Sequence, residues 1–161
     1  LSVIQLKKSE TYELIERLCE TYPRAAGLIQ IEITEVTVFE NDPLIEENLN
    51  RFKRLGLDLI LDDFGTGYSS IYSLKKFPFD CIKIDKSFID DISNEAGNKL
   101  VILNGIISLI QELGIDFICE GVETQQQVDY LVAKGCRVAQ GYFYNKPMSK
   151  IEIHRYVEAF I

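Results

Sequence analysis

The chain has 161 residues, a length typical of one domain, and 47% of them are apolar, enough to build a buried core. A formal net charge of −8 argues against a nucleic-acid polymer as partner, which would need a basic stripe. No apolar run approaches the roughly 18 residues of a membrane span and no secretion signal opens the chain, so we predict a cytoplasmic location.

Helical and strand patterns alternate along the first half of the chain. A helix is predicted at 9–21, followed by an apolar, β-branched strand at 28–36. The next helix, at 43–55, has its apolar residues on one face, and Asp42 just before it can cap its N-terminus. A second strand is predicted at 57–63.

The second half continues this alternation. It has predicted helices at 69–77, 94–113 and 124–133 and predicted strands at 79–85, 115–122 and 137–143. Thr124 can cap the helix that it begins, and Ser149 can cap a last helix that runs to the C-terminus.

Three helices end at a glycine that leads into a strand, namely Gly56, Gly114 and Gly135. Such joints predict parallel strands connected by helical crossovers. The strands are short and apolar, which is typical of burial on both faces. The pattern predicts an α/β fold of at least five βα units, either part of a (β/α)₈ barrel or a doubly wound sheet.

Polar side chains interrupt or end every predicted strand. In chain order they are Glu32, Glu35, Asp62, Asp63, Lys83, Asp85, Glu120, Glu123 and Gln140. In a parallel barrel the carboxyl ends of the strands share one rim, whereas a doubly wound sheet brings only some of them together. A single acid at such a place is ordinarily a cap or a solvated residue, but repetition on every strand indicates a site.

This concentration of acids predicts a cation at the rim. Two carboxylates about 4 Å apart repel by several kcal/mol at an effective dielectric constant near 20. Mg²⁺ or Mn²⁺ would relieve this repulsion, because both prefer carboxylate oxygens. The adjacent Asp62 and Asp63 could supply a bridging and a terminal ligand to two ions. Two such ions suit phosphodiester hydrolysis, since they hold the phosphate and activate water.

The residues after Asp63 have the composition of a tight loop. Gly65 and Gly67 allow sharp turns close to a ligand or metal. Ser69 can cap the following helix, whose N-terminus would favour an anionic phosphate. As a phosphate-binding loop the segment is a weak signal, because it lacks the Walker spacing and lysine.

Other residues with reactive or aromatic side chains have ordinary interpretations. The four cysteines have no C-x-x-C spacing and stand in apolar settings, which predicts buried reduced thiols rather than a zinc site or disulfide framework. They are Cys19, Cys81, Cys119 and Cys136. The aromatic residues at 142–144 are predicted to pack, with stacking on a base as the alternative.

Five sequence blocks carry a resemblance to a known family. They are EITE from Glu32, DDFGTGYSS from Asp62, KID from Lys83, EGVET from Glu120 and QGYFYNKP from Gln140. In order and spacing, over essentially the whole chain, they closely resemble the EAL-domain cyclic di-GMP phosphodiesterases. The resemblance implies a modified TIM barrel that opens cyclic di-GMP to linear pGpG with two Mg²⁺ or Mn²⁺ ions.

The resemblance also implies roles for the residues at the strand ends. Glu32 looks like a metal ligand, Asp62 like the ligand that bridges the ions and Asp63 like a ligand of the second ion. Asp85 would lie near the second ion. Lys83 would contact the attacking water or the phosphate.

Further roles follow from the same resemblance. Glu120 looks like the general base or a ligand of metal-bound water, and Gln140 would order water or ligand. Glu35 looks like the residue that steadies the loop after Asp63. The supporting residues of this site are Gly65, Thr66, Gly67 and Glu123.

The chain is expected to be part of a longer protein. It begins without Met, and the family's E-x-L glutamate, a further metal-ligand asparagine and the first two barrel strands are expected before Leu1. The missing ligands argue against turnover by this chain alone. We therefore expect a single partial EAL domain over 1–161, in a signalling protein with sensor or cyclase domains or a membrane anchor. Unpaired sheet edges favour a homodimer.

Two alternatives to the enzyme stay open at this stage. The first is a receptor or interaction domain that binds cyclic di-GMP without hydrolysing it, and which would keep its ligand after chelation of metals. The second is a metal-dependent aldolase or enolase-like barrel, which is disfavoured because such sites need a Schiff-base lysine or another ligand set.

Overall fold

The computed structural model describes residues 1–39, 42–65, 71–93 and 97–159. Five parallel strands form one sheet in the sequential order β1 to β5. Their bounds are Gln30–Thr34 for β1, Asp58–Phe64 for β2, Cys81–Ile84 for β3, Asp116–Cys119 for β4 and Val138–Ala139 for β5. A doubly wound sheet reverses its strand order at a switch point. The sequential order is instead that of a partial (β/α)₈ barrel, as predicted.

Helices connect and precede these strands. They are α1 Val3–Leu6, α2 Ser9–Thr21, α3 Pro23–Ala26, α4 Glu35–Phe39, α5 Pro43–Arg54, α6 Ile71–Lys76, α7 Lys86–Ser93, α8 Gly97–Glu112, α9 Gln125–Ala133 and α10 Lys150–Glu158. The helices predicted at 9–21, 43–55 and 124–133 are confirmed to within one residue. Among the helices of the described segments, none has the length and apolar character needed to cross a bilayer.

Three predicted helix caps are confirmed. The side chain of Asp42 accepts a hydrogen bond from the Leu44 N–H at 2.9 Å, and Thr124 accepts one from the Gln127 N–H at 3.2 Å. Ser149 caps α10 in the same way. Each cap satisfies a backbone N–H group that the first turn of a helix leaves without a partner.

The core lies between the sheet and the helices packed on it. The buried strand residues in the core cluster are Ile31, Ile33, Leu59, Leu61, Phe64, Ile82, Ile84, Phe117 and Cys119. The buried helix residues in the same cluster include Ile45, Leu49, Phe52, Ile89, Leu103, Ile107, Ile110 and Leu131. Burying one such side chain contributes roughly 1.5–3 kcal/mol. The packed sheet therefore gives the residues at its carboxyl edge a rigid support.

Several local predictions differ from the structure. The strand predicted at 28–36 covers Gln30–Thr34, and helix α4 begins at Glu35; the strand predicted at 115–122 covers Asp116–Cys119. Helix α7 begins at Lys86, two residues after the end of β3, in a segment where no helix was predicted. Asp85 caps this helix by accepting a hydrogen bond from the Ser87 N–H at 2.9 Å. Strand β5 has two residues instead of the predicted seven over 137–143. Beyond Ala139 the backbone remains bonded to Val122, whose N–H donates to the Gln140 carbonyl at 3.0 Å, but in an irregular loop.

The aromatic residues at 142–144 do not pack in the core as predicted. Tyr142 is 59% exposed, and Phe143 and Tyr144 are also on the surface. They lie in the loop that replaces the end of the predicted strand. Phe143 and Tyr144 instead contact each other edge to face, with ring centroids 5.3 Å apart.

Candidate functional site

Lys83 lies at the centre of the acids predicted to share a rim. Its Nζ atom is 2.7 Å from Glu120 Oε1, 3.1 Å from Asp62 Oδ1 and 3.1 Å from Glu32 Oε1. The four residues come from β1, β2, β3 and the residue after β4. The carboxyl ends of four neighbouring strands therefore converge on one ammonium group.

The Lys83 side chain is charged despite its burial. The residue is 7% exposed, and desolvation alone would lower its pKa. Hydrogen bonds to Glu120, Asp62 and Glu32 outweigh that effect and raise the pKa of Lys83 above its ordinary value. A lysine in this position supplies a fixed positive charge and is not a proton donor at neutral pH.

Glu120 is held from two sides. Lys83 donates to its Oε1 atom, and the Nε2 amide of Gln140 donates to the same atom. Desolvation raises the pKa of Glu120, and the nearby Asp62 and Asp63 raise it further, against the opposing effect of Lys83. The structure thus brings Gln140 into the rim, as predicted.

Asp62 and Asp63 lie in β2 where its pairing with β3 shifts register, between Leu61 and Phe64, and their carboxylates are close together. Asp63 has a positive φ of 57°, a left-handed conformation that is uncommon for a residue other than glycine. Its N–H donates to Asp62 Oδ1 at 3.1 Å. Desolvation and the charges of Asp62 and Asp85 raise the pKa of Asp63. A conformation of this kind is concentrated at functional sites.

The donor set fits a hard divalent cation. One carboxylate oxygen from each of Asp62, Asp63 and Glu120 lies within 4.8 Å of the others. Oxygens that share an octahedral Mg²⁺ at about 2.1 Å are about 3 to 4 Å apart, so small side-chain rotations suffice. The ammonium of Lys83 already lies among these carboxylates, which shows that the arrangement of acids favours a bound positive charge. Carboxylates without sulfur or imidazole donors favour Mg²⁺, Mn²⁺ or Ca²⁺.

Glu35 anchors the loop that follows Asp63. The Gly65 N–H donates to Glu35 Oε2 at 2.9 Å, and Glu35 is only 4% exposed. Gly65 has φ 94°, and a Cβ there would overlap the Phe88 ring. A side chain at this position is therefore excluded twice, by the backbone conformation and by space. The predicted Thr66, Gly67 and Ser69 lie outside the described residues.

Asp85 and Glu123 occupy the edge of the site. Asp85 caps α7, and its charge acts on Asp63. Glu123 forms an ion pair with Lys86, the first residue of α7. This contact joins the 120–124 loop to helix α7. Both residues thus belong to the connection between α7 and the rim.

Sequence reasoning missed two residues of that connection, Lys86 and Gln127. Gln127 is 2% exposed, and its Oε1 accepts from the N–H groups of Glu123 and Thr124 at 2.7 Å and 3.0 Å. Its Nε2 donates to the Ile89 carbonyl at 3.1 Å. The capping-box spacing of Thr124 and Gln127 is a sequence signal for the hydrogen bond between the Thr124 N–H and the Gln127 side chain. The ion pair of Lys86 with Glu123 could be predicted only from the three-dimensional fold.

A cleft of about 520 Å³ opens beside the rim. Its lining includes Lys86, Glu123, Gln140, Tyr142 and Lys146. Volumes of this size are typical of small-molecule sites. Two lysines and an exposed tyrosine in its wall can bind anionic and planar groups.

Comparisons with known proteins agree with this geometry. The EAL domain model matches residues 1–147. The cyclic di-GMP phosphodiesterase NbdA of Pseudomonas aeruginosa is 33% identical over 155 residues, which cover 96% of this chain and 20% of that protein. The chain spans about a fifth of the length of most of its curated relatives and 36% of the phosphodiesterase RocR.

Solved structures show the same fold. The EAL domain of Mycobacterium smegmatis DcpA has a TM-score of 0.89 at 31% identity, over 99% of this chain and 70% of that one. BlrP1 of Klebsiella pneumoniae, in a complex with manganese and cyclic di-GMP, has a TM-score of 0.79 at 28% identity, over 89% of this chain and 36% of that one. By its sequence match, its sheet order and its rim of acids, the chain belongs to the EAL domain family.

Proposed function

We propose that the protein containing this chain is a metal-dependent phosphodiesterase that hydrolyses cyclic di-GMP to linear pGpG. The observation that carries the proposal is the contact of the Lys83 ammonium with carboxylates from three other strands at one rim. Relatives named cyclic di-GMP phosphodiesterases and neighbours in complex with cyclic di-GMP support it.

In this proposal Glu32, Asp62, Asp63 and Asp85 hold two Mg²⁺ or Mn²⁺ ions. When bound, the ions supply positive charge at the scissile phosphate and acidify water. The left-handed conformation at Asp63 keeps its carboxylate beside that of Asp62. Two acids fixed together in this way are costly without a cation, which favours binding of the ions.

Lys83 orients the reacting groups. Its ammonium is fixed by hydrogen bonds to the acids on both sides, so its position does not depend on substrate. Nζ would donate to a phosphate oxygen or to the attacking water, as the resemblance implies, in place of one of the three carboxylates that accept its N–H groups here. A charged donor held in advance stabilises developing negative charge without a cost of reorganisation.

Glu120 is the proposed general base. Burial raises its pKa, which brings it closer to neutrality and makes it a better proton acceptor than an ordinary glutamate. Gln140 and Lys83 bind the same oxygen, Oε1, so the other oxygen can face the water. Glu35, Gly65 and Glu123 act in support, by holding the loops on either side.

The cleft beside the rim is the proposed place of the dinucleotide. Lys146 brings positive charge to the wall of this cleft, whereas the charge of Lys86 is paired with Glu123 in the same lining. Lys146 Nζ lies 5.7 Å from the centre of the Tyr142 ring, so charge and an aromatic face are presented together. Phosphates and guanine bases bind such surfaces.

The test is the incubation of purified protein of natural length with cyclic di-GMP and Mg²⁺ or Mn²⁺, with chromatographic detection of pGpG. We expect pGpG with either ion and none in EDTA. Binding of cyclic di-GMP that persists in EDTA, with no product at any metal concentration, would contradict the enzyme and favour the receptor.

A further inference from the structure

Two cysteine side chains are in contact behind the rim. Cys119 ends β4, and Cys136 lies between α9 and β5. Their Sγ atoms are 3.5 Å apart, about 1.5 Å more than a disulfide bond of about 2.05 Å. Because β4 pairs directly with β5, the two backbone segments are already side by side. Closing the remaining gap between the sulfurs would form the bond.

No other pair of thiols in the described chain has this geometry. All four cysteines are free, and the Cys119–Cys136 contact is the sulfur–sulfur contact among them. Cys81 Sγ donates to the Ile82 carbonyl oxygen at 3.9 Å, and Cys136 Sγ likewise has a carbonyl neighbour, the Val138 oxygen at 3.1 Å. Cys81 is half-buried like Cys136, which makes it a matched control on a neighbouring strand.

The two sulfurs differ in access. Cys119 is 0% exposed, whereas Cys136 is half-buried and lines a small cavity of about 70 Å³. Val132, Val138 and Tyr144 also line this cavity. A molecule of a few atoms, such as hydrogen peroxide, can reach Cys136 there. Cys119 has no exposed surface, and its sulfur contacts that of Cys136.

The thiols also differ in acidity. The contact with Cys119 lowers the pKa of Cys136 to about 7, whereas burial raises the pKa of Cys81 to about 11. A lower pKa increases the thiolate fraction of Cys136 at pH 7, and thiolate is the form that reacts with peroxide.

We propose that Cys119 and Cys136 form a reversible intramolecular disulfide when a hydroperoxide oxidises Cys136. In the first step the Cys136 thiolate attacks a peroxide oxygen. An S–O bond forms, the O–O bond breaks, and the leaving hydroxide takes a proton to become water. Cys136 is then a sulfenic acid, two electrons more oxidised than before.

The second step closes the bridge. Cys119 Sγ attacks the Cys136 sulfur, the S–O bond breaks, and the leaving hydroxide takes the Cys119 proton to form a second water. The sum is two thiols and one hydrogen peroxide giving one disulfide and two waters. A dithiol reductant reverses it. Contact of the sulfurs before oxidation makes this step faster than further oxidation of Cys136.

The bridge would lie next to the functional rim. Cys119 is the residue before Glu120, and Cys136 belongs to the segment that leads to Gln140. The hydrogen bond between Gln140 and Glu120 joins the same two segments at the rim. The thiol pair and this hydrogen bond are thus two links between β4 and β5, one of them sensitive to oxidation.

Peptide mapping of the protein of natural length tests the proposal. Trypsin places Cys119 in residues 100–134 and Cys136 in the tripeptide 135–137, while Cys81 lies in 77–83. The protein is treated at pH 7 with one equivalent of hydrogen peroxide, alkylated and digested without reductant. We expect peptide 100–134 linked to 135–137 as the main oxidised species, and its loss after dithiothreitol.

Controls separate the folded geometry from general thiol chemistry. At pH 7 iodoacetamide should label Cys136 at least about 100-fold faster than Cys81. The Cys81→Ser variant should form the linked peptide as before. In Cys119→Ser, Cys136 should stop at a sulfenic acid that dimedone traps. In guanidinium chloride the preference for the Cys119–Cys136 link should disappear.

Three outcomes would overturn the proposal. The first is peroxide consumption with peptide 135–137 unlinked in the native wild-type protein. The second is conversion of Cys136 to sulfinic acid while Cys119 remains alkylatable. The third is a linked peptide that forms equally well in guanidinium chloride, because the link would then owe nothing to the folded contact.

Discussion

The ammonium of Lys83 and the carboxylate of Glu120 lie 2.7 Å apart and join β3 to the residue that follows β4. The same ammonium contacts Asp62 and Glu32, so four strand ends depend on one buried charge. If divalent ions also bind these acids, the lysine and the ions share the neutralisation of the same negative charge. Several consequences can be measured.

Replacing Lys83 by methionine should separate stability from catalysis. The acids lose their counter-charge, and we expect the free energy of unfolding to fall by about 1–3 kcal/mol without metal. Added Mn²⁺ should raise the melting temperature of Lys83→Met more than that of the wild type. Turnover should fall by at least about 100-fold with metal present. An equal response of both proteins to Mn²⁺ in thermal denaturation would contradict this shared role.

The bond between Glu35 and the Gly65 N–H should govern the loop after Asp63. Glu35→Gln keeps an acceptor oxygen and should lose less than about tenfold in turnover, whereas Glu35→Ala removes it and should lose about 10–100-fold. Circular dichroism controls for folding. Equal activity of the two variants would show that the hydrogen bond to Gly65 is unimportant.

Gln127→Leu should destabilise the protein far more than Gln125→Leu in the same helix. Gln127 is buried and makes hydrogen bonds to Glu123, Thr124 and Ile89, whose backbone groups would lose their partners. We expect a loss of about 2–4 kcal/mol. Gln125 is exposed and bonds only to Asp129 among the contacts described, so its loss should be within about 0.5 kcal/mol. Urea denaturation measures both.

Two glycine substitutions should have opposite signs. A Cβ at Gly141 would overlap the Val122 backbone, so Gly141→Ala must displace the loop that holds Gln140 and should cost at least about 1–3 kcal/mol. A Cβ at Gly105 in α8 meets nothing within 4 Å. Gly105→Ala should therefore stabilise the protein by about 0.5–1 kcal/mol. Urea midpoints that shift in the same direction would contradict this.

Much of the rim could be predicted because one topological rule places it. The carboxyl ends of parallel strands meet, so the placement of Glu32, Asp62, Lys83 and Glu120 followed from the strands alone. The choice between barrel and doubly wound sheet needed the strand order, which local patterns do not contain. The ends of short strands are also difficult to predict. β5 has only two residues, and the residues that follow it form backbone hydrogen bonds outside the regular strand pairing.

Contacts between distant segments could not be predicted from periodicity. Lys86 and Glu123 are 37 residues apart, and Cys119 and Cys136 are 17 apart without any known spacing rule. The exposed Tyr142 was predicted to pack because its strand was predicted to continue. In each case the deciding fact is which segments the fold brings together. The residue types at these positions can be read from the sequence, but the residues that they contact in the folded protein cannot.

The most direct test of the central claim compares two aspartates at opposite ends of β2. Asp62 lies at the rim beside Lys83, and Asp58 lies at the other end of the strand. With Mg²⁺ or Mn²⁺, we predict that Asp62→Asn lowers hydrolysis of cyclic di-GMP by at least about 100-fold. Asp58→Asn should keep it within about twofold. Full activity in Asp62→Asn, or equal loss in both variants, would contradict the account.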